Sequence, residues 1–68
     1  MKKDDVVYTP RFCTVKIREV FDNAQAAREA GYTEPTHYHK DGWTVCGKSV
    51  GHPSPGWCEM HFAAIREN

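Results

Sequence analysis

A chain of 68 residues makes one domain at most and buries only ~60 % of its unfolded surface, which leaves a marginal core and little room for a substrate cavity. With 40 % apolar and 26 % charged residues, it belongs with folded domains and not with disordered tails. Nine basic residues balance nine acidic ones, so no net field draws it to nucleic acid or an anionic membrane, and electrostatic recognition must come from local segregation of charge.

The N-terminal residues Met-Lys-Lys-Asp-Asp-Val-Val-Tyr lack the apolar stretch of a signal peptide, and no apolar run reaches the length of a membrane span. The expected location is the cytoplasm. Cysteines at 13, 46 and 58 are odd in number and too sparse for a secreted disulfide scaffold, so reduced thiols are expected.

In chain order, residues 1–11 form a charged, partly flexible N-terminal segment in which only Val6 to Tyr8 suggest a short strand. Residues 12–68 form the single domain. From 12 to 21 the residues alternate, with Cys13, Val15, Ile17 and Phe21 on an inner face and Thr14, Lys16 and Arg18 on an outer one, as in a strand half covered by core. Asp22 then has the marks of an N-cap, with Gln25 closing a capping box. A short helix with Ala24, Ala27 and Ala30 on one side ends at Gly31, a left-handed C-cap position with Tyr32 folded back.

Asp41-Gly42, between aromatic and β-branched residues, predicts a two-residue type I′ hairpin turn. The register follows: Lys40 faces Trp43, His39 faces Thr44, Tyr38 faces Val45 and His37 faces Cys46. Tyr38, Trp43 and Val45 then face the core, while His37, His39, Thr44, Cys46 and Lys48 share the other side. After a loop rich in proline and glycine, Ser54-Pro55 opens a C-terminal helix through Arg66, the alternative being a further strand. The expected fold is a small α+β domain, β-α-β-β-α, with an antiparallel sheet packed around Val15, Ile17, Phe21, Tyr38, Trp43, Val45, Trp57 and Phe62.

Four kinds of chemistry are available to such a chain. Cys46, His52, Cys58 and His61 supply four zinc-type ligands in close sequence, although their spacing is not that of the common zinc knuckles. Zinc is therefore the alternative to a cofactor-free domain. Cys46 opposite His37 would place a thiol beside a base, but the sequence offers no sign of an oxyanion hole or a pocket, and no enzyme is expected. Basic residues interleaved with aromatics would suit nucleic acid, but the hairpin register puts Tyr38 and Trp43 on the side opposite the cations.

The fourth, and the expected function, is protein binding. An uncovered, locally cationic sheet face bearing Lys16, Arg18, His37, His39 and Lys48 suits docking on the acidic surface of a larger protein, as an adaptor, accessory protein or inhibitor. Phage and mobile-element counter-defence inhibitors have this size and simplicity, an analogy of type that no motif carries. No membrane partner is expected.

Overall fold

The computed structural model describes residues 1–10, 13–34, 38–51 and 59–67. Its elements run β1 (Val6–Thr9), β2 (Cys13–Phe21), α1 (Ala24–Glu29), β3 (Tyr38–Lys40), β4 (Trp43–Val50) and β5 (Glu59–Arg66). A single five-stranded sheet holds the strands in the order β1-β2-β5-β4-β3. β2 and β5 run parallel, and every other neighbouring pair is antiparallel. Among the described residues the protein is thus mostly sheet, curled into an almost closed barrel with one short helix outside it.

This overturns the expected β-α-β-β-α fold, whose C-terminal helix is the strand β5. The physical reason lies in residues 62 to 65. Phe62, Ala63, Ala64 and Ile65 are all buried, because β5 is the central strand and is covered on both faces. A doubly covered strand reads as a continuous apolar run, and periodicity alone does not separate such a run from a buried helix. Pairing decides: β5 meets β4 along its whole length, from Trp43 opposite Arg66 to Val50 opposite Glu59.

The two faces of β5 belong to two cores. Inside the barrel lie Val15, Ile17, Val45, Phe62 and Ala64, with Met1, Val7, Tyr38, Trp43 and Met60 packed against them. Val7 on β1 and Tyr38 on β3 come from opposite edges of the sheet, so their meeting in one cluster shows how far the sheet is bent. Outside lie Ala27, Tyr32, Cys46, Ala63 and Ile65, with Phe21 and Ala30 against them. The expected core members Val15, Ile17, Tyr38, Trp43, Val45 and Phe62 are therefore in place, whereas Trp57 lies outside the described residues.

Phe21 is in the outer cluster for a specific reason. The β2–β5 register shifts between Ile17, opposite Phe62, and Glu19, opposite Ala63. A bulge of one residue reverses the parity of every side chain after it, so strict alternation fails beyond Arg18. Cys13, expected to point inward, is exposed and has φ 63°.

The helix begins one residue later than expected. Asn23 is the N-cap and its Oδ1 accepts from Ala26 N at 2.8 Å, so Gln25 falls one position short of a capping box and reaches Glu29 instead. Its end is as expected. Gly31 has φ 92°, Gly31 N donates to Arg28 O and Tyr32 N to Ala27 O, both at 3.0 Å, which together make a Schellman motif. Six residues are too few for an independent helix. It is held by Ala27, fully buried against β5, where the lack of a long side chain lets helix and sheet approach closely.

The hairpin has the expected register, with Lys40, His39 and Tyr38 opposite Trp43, Thr44 and Val45. Asp41 and Gly42 have φ 53° and 81°, both positive as type I′ requires. Farther along β4, Gly47 sits under the Phe62 ring. A Cβ there would lie 3.1 Å from Phe62 Cε1 and 3.1 Å from the His61 carbonyl oxygen. Gly47→Val is expected to lower stability by about 1–3 kcal/mol through overpacking, while Gly51→Ala, which meets nothing within 4 Å, stays near neutral; urea unfolding of the two variants checks the contrast.

Candidate functional site

The proposed docking cations do not form one open face. His39, Thr44, Cys46 and Lys48 do share a side of the sheet, as the register demands, but α1 and residues 30 to 34 cover its centre, and Cys46 is buried. The expected uncovered face is a second core with a polar margin. His37 lies outside the described residues.

Lys48 is turned beneath the helix. Its Nζ donates to Ala30 O at 3.0 Å and stands 4.8 Å from the centre of the Tyr32 ring, so it neutralises the carbonyl end of α1 while lying over an aromatic face. Tyr32 in turn donates its hydroxyl to Glu19 at 3.1 Å. Burial, then the hydrogen bond and charge of Glu19, push the phenol from 10.0 to about 12. These contacts tie α1, β2 and β4 into one polar seam under the helix.

His39 is on β3, at the far edge of the sheet from Lys16 and Arg18 on β2. Its Nδ1 lies 2.7 Å from Glu67 Oε1 and 3.1 Å from Thr44 Oγ1, and the Thr44 hydroxyl donates to the same Glu67 oxygen. Hydroxyl and carboxylate therefore meet the same ring nitrogen. A nucleophile relay needs them on opposite nitrogens, so this trio is a latch that holds the residues after β5 on the hairpin, aided by Glu67 N donating to Gly42 O at 2.8 Å. Both hydrogen bonds hold the Glu67 carboxyl below its usual range, that from Thr44 more than that from His39.

Of the zinc-type ligands, His52 and Cys58 lie outside the described residues. Cys46 and His61 sit on adjacent strands, where Cys46 is opposite Ala63 and His61 is opposite Lys48, a diagonal placement on one side of the sheet. The Cys46 thiol donates to Tyr32 O at 3.6 Å, and burial pushes its pKa up, which favours the protonated thiol over the thiolate that binds metal. Among the described residues, no group of three or more potential ligands gathers.

What the structure does bring together is a set of cations that the sequence kept apart. Lys2 and Asp5 close a turn, with Asp5 N donating to Lys2 O and Lys2 N to Asp5 Oδ2, and Asp4 N donates to Ile17 O at 2.8 Å. That turn lays the N-terminal residues along β2 just where its register shift exposes Arg18. Lys2, Lys3 and Arg18, with Met1, Glu19 and Val20, line a depression of about 410 Å³. Lys16 is bonded to Asp4 at 3.6 Å on the same edge. Among the described residues, no carboxylate lies within ion-pair distance of the Lys2 or Lys3 ammonium or of the Arg18 guanidinium. Sequence reasoning found Arg18 and missed the two lysines, because the turn that brings them there depends on backbone bonds to β2.

A larger open cleft, about 820 Å³, runs between α1 and the ends of β4 and β5, with Arg28, Glu34, Thr44 and Glu67 along it. Its charges alternate in sign, and Glu67 and Thr44 are already engaged in the latch. No family model, no characterised protein and no solved structure matches this chain.

Two outcomes follow from the geometry. Lys48→Met is expected to cost about 1 kcal/mol in thermal stability, measured by calorimetry, where a purely surface lysine would cost nothing. For Glu67 the folded-state pKa is depressed, so its stabilising contribution is present above the ordinary value of 4.5, and is lost as pH falls through the lower folded value. Hairpin amide protection, taken relative to the intrinsic exchange rate at each pH, is therefore expected to fall in acid in the wild type, and Glu67→Gln removes that acid-dependent step.

Proposed function

We propose that this protein is a small binding module that docks on an acidic surface of a larger protein, as an adaptor, accessory protein or inhibitor, in the cytoplasm. The observation that carries the proposal is the convergence of Lys2, Lys3 and Arg18 around one depression on a chain with no net charge. A neutral molecule with one cationic depression gains orientation as well as attraction, since its partner is steered to that side alone. Free thiols at Cys13 and Cys46 agree with a reducing compartment, and among the described residues no helix is long and apolar enough to cross a membrane.

A protein partner has more support than nucleic acid. Tyr38 and Trp43, which base stacking would need beside the cations, are half-buried against the barrel core and expose only the part that lines the seam between β1 and β3, and Arg66 lies over the Trp43 ring at 5.1 Å. A zinc-stabilised domain has less support, since the buried Cys46 thiol is already given to the Tyr32 carbonyl.

Cross-linking in the native host, followed by mass spectrometry, is expected to recover a partner with wild-type protein. The pair Lys3→Glu with Arg18→Glu loses it without changing the melting temperature, and Arg28→Glu, on the exposed side of α1, keeps it. Undiminished recovery with the double variant would exclude the depression as the docking site.

A further inference from the structure

The two outer strands of the sheet, β1 and β3, flank an open seam of about 460 Å³. Val7, Tyr38 and Trp43 line its inner side, and Asp5, Lys40 and Asp41 lie along it. One bond fixes which backbone groups face that seam. Ile17 N donates to Asp5 O at 2.9 Å, making Asp5 a hydrogen-bonded position of the β1–β2 ladder. Such positions alternate in an antiparallel pair, so Val7 opposite Val15 and Thr9 opposite Cys13 are bonded to β2 as well.

The N–H and C=O of Val6 and Tyr8 therefore point away from β2, along the free edge. Their side chains are 64 % and 66 % exposed. β1 has no lysine, proline or bulge within Val6–Thr9, the devices by which natural edge strands refuse a partner. β3 is the poorer edge, because Tyr38 and Lys40 are the bonded positions of its hairpin and only His39 has outward backbone groups.

We propose that β1 accepts an extended segment of the partner as a sixth strand, antiparallel to β1 and followed at its C-terminal end by carboxylates. The polarity comes from charge. An antiparallel segment ends beside the start of β1, where Lys2, Lys3 and Arg18 surround their depression, and Met1 lines both that depression and the seam. The segment's inward positions are apolar, over Val7, Tyr38 and Trp43. Its outward positions are β-branched or aromatic, beside Val6 and Tyr8. The proposal rests on the docking function above and adds the chemistry of the partner.

The test uses the full chain and three synthetic probes: alternating valine and threonine closed by a C-terminal run of aspartates, the same peptide with the run at its N-terminal end, and the aspartate run alone. The first probe is expected to slow amide exchange at Val6 and Tyr8 and to bind about tenfold tighter than either other probe. Val6→Pro, which removes an outward N–H and spares the β1–β2 ladder, weakens it about tenfold. Tyr8→Lys, a gentler edge block, does the same if the proline variant is poorly folded.

Equal binding of the first and third probes, with exchange at Val6 and Tyr8 unchanged, overturns strand addition and leaves the basic depression standing. If no probe binds and Lys3→Glu with Arg18→Glu leaves partner recovery intact, both fall. Protection of Val6 and Tyr8 that grows with protein concentration in the absence of peptide would assign the edge to a second copy of this chain and overturn the partner strand.

Discussion

Everything in this fold leans on β5. It pairs with β2 on one side and with β4 on the other, and it supplies Phe62 and Ala64 to the barrel interior and Ala63 and Ile65 to the layer under α1. Without it, two antiparallel pairs, β1–β2 and β3–β4, would remain with no shared edge, and isolated two-stranded units are at best marginal in water. The small side chains at 63 and 64 are part of the arrangement. Alanine on both sides of the central strand lets the helix approach from outside and the barrel close from inside, and Gly47 beside Phe62 continues that economy of volume on β4.

Local chemistry is legible in the sequence because it is enforced locally. The Asp41-Gly42 turn admits one register, and Gly31 with Tyr32 closes the helix in the way glycine at a positive φ allows. The helix start is legible only to within a residue, since Asp22 and Asn23 are both competent caps and the backbone chooses Asn23. What escapes is whatever distant pairing fixes. The identity of β5 as a strand depends on β4 and β2; the parity of Phe21 depends on a bulge that exists only against β5; and the placement of the Lys2–Asp5 turn beside Arg18 depends on the bonds of Asp4 and Asp5 with Ile17 of β2.

The candidate site follows the same division. Arg18 is visible as an outward residue of a strand, but its neighbours Lys2 and Lys3 are not, because sequence distance hides them. The opposite error occurs at Lys48 and Cys46. Both lie on the side of the hairpin that the register assigns them, and both are taken up by the helix, through the Ala30 and Tyr32 carbonyls. Parity tells which side of a sheet a residue occupies and is silent on what packs there. A chain of balanced charge thus acquires two different electrical regions: a mixed-sign cleft along the helix and a cationic depression at the β1–β2 edge.

The parallel pairing of β2 with β5 also sets the order in which the molecule can assemble. The hairpin β3–β4 closes through neighbouring residues and needs little loop entropy, whereas Ile17 and Phe62 must meet from distant parts of the chain before either core is complete. During synthesis the strands β1 to β4 therefore emerge with nothing between β2 and β4, and the strand made after them is the one that joins them. Until it arrives, both of its future neighbours present open edges, the backbone groups through which a partly folded chain pairs with another.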